Sequence, residues 1–241
     1  MPTYFIAGAS RGIGLELAKQ LSDDQNNTVI ASYRSSAPEL LELAKKSNVS
    51  TVVLDVDDQS SIEKLPEQLG DIAIDVAIMN AGIARSFSPV ANTPRHQWID
   101  HFVTNAVGPA MVFQQIQSLV EKAPSPKAYF VSTAAGSIQT SLPVSTSAYG
   151  ASKAALNFIV RKLSEEVPKI TFVALHPGMV ATDMGMFAVD ILSAGNDEIK
   201  SMLEGVSITP ELSASQIIAA INAPIKSGRF IRVDDRLDIP F

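Results

Sequence analysis

Short apolar runs alternate with segments of helical period along the whole chain. The runs at residues 4–7, 28–32, 51–54, 76–79, 128–131, 171–175 and 229–233 are almost continuously apolar and are bounded by Gly, Asp, Pro or Ser. Strands that face solvent on one side alternate polar with apolar residues. Unbroken runs of this length instead predict strands covered on both faces, as in a parallel sheet. Between them, Ile13, Leu17 and Leu21 recur at helical spacing, and residues 38–46 open on Pro38 and end on Lys46, which suits a helix. Further helices are predicted over 60–69, with Pro66 as a break or kink, and over 95–122, 147–166 and 211–222. No linker or repeat divides the series. The β-α-β order predicts one open, doubly wound α/β domain over residues 1–241, with right-handed crossovers and about seven strands. The stretch 184–209 lacks strong periodicity and reads as a long irregular segment, such as a lid over a site.

Composition removes several alternatives. Of 241 residues, 46% are hydrophobic and 18% charged, which is too apolar for a disordered chain. The formal charge of −6 offers no field for a nucleic-acid backbone, although local cations and backbone amides can still hold a small anion. Without cysteine there are no disulfides, thiol nucleophiles or thiolate metal sites. No basic start leads into an apolar run and no stretch approaches a membrane span, so a cytoplasmic protein without a membrane partner is the expectation. The Asn26-Asn27-Thr28 and Asn48-Val49-Ser50 triplets then read as chance matches to a glycosylation pattern.

The first strand runs into Gly8-Ala9-Ser10-Arg11-Gly12-Ile13-Gly14, ahead of an amphipathic helix. Glycines in a strand-to-helix turn let the backbone approach a pyrophosphate, and the helix N-terminus adds amide donors. Three glycines alone are a weak signal; their place after the first strand is what strengthens them. The end of the second strand selects the nucleotide. A carboxylate there would hold the ribose hydroxyls of NAD, whereas this chain reads Ser32-Tyr33-Arg34-Ser35-Ser36. Arg34, with Arg11 nearby, suits the extra phosphate of NADP. The missing acid also counts against a methyltransferase.

Tyr149-Gly150-Ala151-Ser152-Lys153 places a phenol and an ammonium one helical turn apart. A neighbouring cation lowers a phenol's pKa from about 10 and suits it to proton transfer. Alone the pattern is common by chance. Together with the glycine turn, Asp55-Val56, Asn80-Ala81-Gly82, Asn105, Ser132-Thr133-Ala134-Ala135-Gly136 and Pro177-Gly178 followed by Thr182, the sequence resembles the short-chain dehydrogenase/reductase family over essentially its whole length. The segment from His176 to Gly185 and the ending from Gly228 to Phe241 resemble the carbonyl reductases related to the C-factor and Sniffer proteins.

The resemblance implies a Rossmann-type fold and an NADPH-dependent reduction of a ketone or aldehyde. It implies that Gly8, Ser10, Arg11, Gly12, Ile13 and Gly14 cradle the coenzyme, with Arg34 on its phosphate and Asp55 and Val56 at the adenine. Asn80, Ala81 and Gly82 would run along the ribose and nicotinamide half. Pro177, Gly178, Val180 and Thr182 would hold the nicotinamide. Tyr149 is the implied proton donor, and Lys153 the residue that binds ribose hydroxyls and lowers the Tyr149 pKa. Asn105 is implied in a proton relay through a water. Pro109, four residues on, lacks the amide that would bond the Asn105 carbonyl, so that carbonyl is expected to be free for the water. A plain kink is the alternative.

One departure concerns the residue that polarises the substrate carbonyl. The family's usual second Ser of a Ser-Ser-x-x-Gly pattern is Thr133 here, with Ser132 and Ser137 as competing candidates. Strand alternation keeps Ser132 and Thr133 from facing the same site, and Thr133 is preferred. The loop 137–147 is longer than in most of the family and is expected to shape the substrate mouth. His96, His101 and His176 show no metal-ligand spacing and read as structural, so no metal is expected. Trp98 and Phe102 read as helix packing. Met179, Met184 and Met186 read equally as core filler or apolar substrate contacts. Two other readings stay open: an NADP(H)-binding sensor on the same fold, and an NAD-dependent alcohol dehydrogenase. Segments 85–93, 137–147 and 184–209 would choose the substrate, and the long helices would pair the chain into a homodimer or homotetramer.

Overall fold

The computed structural model describes residues 1–140 and 144–241. Seven strands, β1 (Thr3–Ala7), β2 (Thr28–Tyr33), β3 (Val49–Val53), β4 (Val76–Met79), β5 (Lys127–Val131), β6 (Thr171–His176) and β7 (Arg229–Arg232), form one parallel sheet. Their order is β3-β2-β1-β4-β5-β6-β7. Connections run outward one way from β1 to β3 and the other way from β4 to β7. The reversal between β1 and β4 opens a crevice at the carboxyl ends of the strands, where sheets of this kind bind ligands.

The unbroken apolarity of the strands follows from helices on both faces. Tyr4, Ile6, Val29, Ala31, Ile78, Tyr129, Val173 and Leu175 point into one core. That core is closed by α1 (Gly12–Ser22), α2 (Pro38–Leu43) and α10 (Pro210–Asn222). Their strand neighbours Phe5, Ala7, Ile30, Ala77, Phe130, Phe172 and Ala174 point into a second core. This one is closed by the short helices α3 (Gln59–Glu63) and α4 (Leu65–Leu69), by α6 (Gly108–Val120) and by α7 (Ser147–Glu166). At its centre Phe113 packs edge-on to Phe172, with ring centroids 5.1 Å apart, and lies 6.2 Å from Phe130. Burying each such ring is worth about 1.5–3 kcal/mol, so the rear of the crevice is a rigid wall.

Three expectations change. The helix predicted over 60–69 is two short helices, α3 capped by Asp58 and α4 carrying Pro66 in its first turn. A proline donates no amide there, so the chain restarts rather than continues. The helix predicted over 95–122 is α5 (Arg95–Phe102) joined to α6 by a π-helical turn, Val103–Val107, that contains Asn105. The irregular segment predicted over 184–209 is two helices, α8 (Asp183–Ser193) and α9 (Asp197–Gly205). Thr182 caps the first by accepting from the Gly185 amide, and Asn196 caps the second. Between them Ala194 and Gly195 take left-handed backbone and end α8. Few of their side chains are buried, so no long apolar stripe marked them. Of the loop expected to shape the substrate mouth, residues 141–143 lie outside the described residues.

Candidate active site

The crevice holds a cleft of about 640 Å³ along the carboxyl ends of the strands. One wall is the turn between β1 and α1. Its shape is fixed by hydrogen bonds: the Gly8 amide donates to Ser32 Oγ at 2.9 Å, and Asn80 Nδ2 donates to the Gly8 carbonyl at 2.7 Å. Gly14 is required behind the turn. Any side chain there would run into the Gly8 carbonyl and come within 2.6 Å of Asn80 Nδ2. Ser10, Arg11, Gly12 and Ile13 line the cleft at the start of α1, where free amides and the helix dipole favour an anion.

Tyr33, Arg34, Asp55, Val56 and Asp57 line one end. The Arg34 guanidinium lies 3.8 Å from both Asp55 and Asp57. Arg11 pairs with Asp183, the first residue of α8, at 2.7 Å. Both arginines are largely exposed, so these pairs contribute at most about 1 kcal/mol each and yield readily to a phosphate.

The other end carries Tyr149 and Lys153, one turn apart on α7 and both lining the cleft. Lys153 is 4% exposed and donates from Nζ to the Val131 carbonyl at 2.7 Å. Burial alone lowers its pKa from 10.5 to about 8. Burial raises the Tyr149 phenol, and a hydrogen bond with the Thr133 side chain pulls the other way. The lowering by Lys153 that the spacing predicts is not found in the coenzyme-free protein. There the cost of burying a phenolate dominates, and the ammonium is turned to Val131. The adjacent hydroxyls divide as strand alternation requires: Ser132 donates to Asn157 Oδ1 at 2.6 Å, while Thr133 meets Tyr149. Ser137 Oγ accepts the Thr140 amide within its own turn.

Asn105 is fully buried. Its side chain accepts from the Ile83 amide and donates to the Ile83 carbonyl, both at 2.8 Å, and also donates to Ser152 Oγ at 3.0 Å. A side chain at Gly82 would come within 3.0 Å of Asn105 Oδ1 and 3.3 Å of Lys153 Nζ, so this glycine lets the two approach. Across the cleft, Ala81, Pro177 and Thr182 also face in, whereas Gly178 and Val180 lie behind, against Ile208. The cleft therefore has a turn suited to an anion, an end where Arg34 stands between two carboxylates, and a phenol–ammonium end. Those are the parts a dinucleotide and a reacting carbonyl require.

The chain matches the model of the short chain dehydrogenase family over residues 2–190. It is 40% identical to an uncharacterized oxidoreductase of Saccharomyces cerevisiae over 96% of this chain and 95% of that one. The chain belongs to the short-chain dehydrogenase family. Its fold superposes on an NADPH-bound carbonyl reductase from chicken fatty liver with a TM-score of 0.85 and 28% identity, covering 100% and 99% of the two chains. The carbonyl reductase Sniffer of Drosophila melanogaster gives 0.85 and 27%, covering both chains completely. Short-chain dehydrogenases are oxidoreductases that work with a nicotinamide coenzyme on small molecules. Among the described residues no helix is long and apolar enough to cross a membrane, and no cluster of acidic and histidine residues has the form of a metal site.

Several residues of this short-chain dehydrogenase's cleft escaped the sequence reading. Ser32 was legible only as a polar residue in an apolar strand. Asp57 and Asp183 looked like surface charge, yet they pair with the two arginines. Phe87 stands 5.9 Å from the Tyr149 ring and 6.4 Å from Phe187 of α8, making an aromatic flank that no local pattern announces. Met184 and Met186 line the cleft; Met179 does not.

The buried ammonium makes stability depend on pH. Above about pH 8 the folded protein sheds the Lys153 proton, which the unfolded chain keeps until near 10.5. Stability therefore rises with pH across that window. In urea unfolding of the coenzyme-free protein, wild type is expected to gain about 2–3 kcal/mol relative to Lys153→Met between about pH 8 and pH 10. Parallel profiles for the two proteins would contradict the burial of a titrating ammonium.

Proposed function

We propose that this short-chain dehydrogenase is a cytoplasmic NADPH-dependent carbonyl reductase that converts a ketone or aldehyde to the alcohol. One coenzyme-binding domain spans residues 1–241. What carries the reading is a cleft with Tyr149 and Lys153 at one end, the phenol hydrogen-bonded to the Thr133 side chain, and Arg34 and the glycine turn at the other. The NADPH-bound chicken enzyme supports the choice of coenzyme. So does the absence of an acid at the end of β2, where Arg34 stands instead.

The residues fit NADPH. The amides from Ser10 to Ile13 would face the pyrophosphate, in a turn held in shape by Gly8 and Gly14; Arg11 and Arg34 would reach the extra phosphate, and Asp55 and Val56 would border the adenine. Asn80, Ala81 and Gly82 would run along the nicotinamide ribose, with Pro177 and Thr182 beyond, supported from behind by Gly178 and Val180. When bound, NADPH supplies the hydride. Thr133 and Tyr149 then hydrogen-bond the substrate oxygen and stabilise the negative charge that grows on it. Burial keeps the Tyr149 phenol protonated, ready to give its proton to the alkoxide. The Lys153 ammonium, one turn away, stabilises the phenolate left behind. Lys153 and Asn105, which both border Gly82, resupply the proton through a water.

The chain is proposed to pair as a homodimer or homotetramer through the outer faces of α5, the π-helical turn, α6 and α7, where Phe102, Val107 and Phe158 are exposed. Sedimentation is expected to show a species of two or four times 25.7 kDa; a single species at 25.7 kDa would contradict the pairing.

The test of chemistry is coenzyme oxidation against ketones, aldehydes, diketones and quinones. Tyr149→Phe is expected to lower turnover by about 10²–10⁴ while NADPH still binds. Arg34→Ala is expected to weaken NADPH about 10- to 100-fold and leave NADH nearly unchanged, because only NADPH carries the phosphate. Full activity in Tyr149→Phe would overturn the mechanism. Tight NADPH binding with no turnover on any carbonyl would favour a sensor, and a preference for NAD the alcohol dehydrogenase.

A further inference from the structure

His101 takes no part in the chemistry above, yet it is 1% exposed and lies one helical turn before Asn105. Both ring nitrogens are engaged. Nε2 meets the Arg85 amide at 3.0 Å and Nδ1 meets the Gln97 carbonyl at 2.7 Å. An amide N–H only donates and a carbonyl only accepts, so Nε2 carries a lone pair and Nδ1 the proton. The neutral Nδ1–H tautomer is therefore fixed by its neighbours. Burial lowers the ring's pKa below its ordinary value. Arg85 adds to that, while the Gln97 carbonyl and Asp100 oppose it.

The partner of His101 lies on the loop that follows β4. Asn105 binds the amide and carbonyl of Ile83, and His101 binds the amide of Arg85. Two side chains one turn apart thus hold alternate residues of an extended segment, much as a neighbouring strand would. Two residues further on, the Phe87 ring stands 5.9 Å from Tyr149 and 6.4 Å from Phe187. The His101 ring meets Tyr149 edge-on at 6.4 Å. One imidazole therefore ties together the helix of Asn105, the loop of Phe87 and the face of Tyr149.

We propose that His101 is a positioning residue: by accepting the Arg85 hydrogen bond it holds the 83–87 loop so that Phe87 walls the substrate side of Tyr149. It thereby sets affinity for large, flat carbonyl compounds without entering the chemistry. The substrate part rests on the reductase reading; the clamp itself does not.

Phenanthrenequinone, large and aromatic, and diacetyl, small, are the two probes. His101→Phe removes the acceptor and keeps a ring. It is expected to raise KM for phenanthrenequinone about tenfold, with kcat and the diacetyl KM within about twofold. His101→Gln places an amide oxygen near the Nε2 position and is expected to restore the wild-type KM. A fall in kcat on both probes, or a Gln variant that behaves like Phe, would overturn the proposal.

A readout independent of activity comes from NMR of the coenzyme-free protein. The Arg85 amide should exchange slowly in wild type and His101→Gln and at least about tenfold faster in His101→Phe. The His101 nitrogens should report a proton on Nδ1 alone. Free exchange in wild type, or the opposite tautomer, overturns the clamp whatever the enzyme does. A clamp that behaves as described in a protein that reduces neither probe overturns the substrate role together with the reductase reading.

Discussion

The site is organised around one costly burial, the Lys153 ammonium set into the end of the sheet with the Val131 carbonyl as its hydrogen-bond acceptor. A cation in that position is expensive, as its lowered pKa records. It is held there because α7 packs flat against β5 and β6 and because Gly82 leaves room above it. Once that lysine is placed, helical pitch brings Tyr149 to the same cleft, and the extended backbone just past β5 turns Ser132 to Asn157 and Thr133 to the phenol. The phenol and the ammonium are each pushed toward the neutral form by the same dry surroundings. Their pKa values, close together in water, are thereby driven apart: the phenol rises above its ordinary value and the ammonium falls to about 8.

The far end of the cleft works by opposite means. There the charges are exposed and already paired, Arg34 with two carboxylates and Arg11 with Asp183. Weak pairs hold the arginines in place at little cost and surrender them to a stronger anion. The Arg11–Asp183 pair also ties the phosphate turn to the start of α8, whose Met184 and Met186 line the cleft. One ion pair thus joins the glycine turn to the apolar flank of the cleft. The glycine turn between the two ends is shaped by Ser32 and Asn80 rather than by its own sequence alone.

Much of this was legible from residues. Strands buried on both faces write continuous apolar runs, and all seven were found in the sheet. Alternation of side chains past β5 predicted that Ser132 and Thr133 part, and their partners differ, Asn157 for one and Tyr149 for the other. Legibility failed wherever the deciding contact is long-range or little is buried. Helices α8 and α9 are short and bury few side chains, so no long apolar stripe marked them and their caps, Thr182 and Asn196, were the local signals. The spacing of Tyr149 and Lys153 suggested a lowered phenol pKa, but spacing carries no information about desolvation, which reverses the sign in the coenzyme-free protein. His101 read as structural and is buried with both ring nitrogens bonded, but its partner Arg85 could not be named, because it belongs to a loop with no pattern of its own.

The central claim is that the dry phenol–ammonium pair is built for a positively charged nicotinamide to complete. The most direct measurement is the titration of Tyr149 by NMR of ring-labelled tyrosine, assigned against Tyr149→Phe, without coenzyme and with saturating NADP+. The account predicts a Tyr149 pKa above the ordinary phenol value in the free protein and a fall well below it in the complex. A Tyr149 titration unmoved by NADP+, in a protein that binds it, would contradict the account.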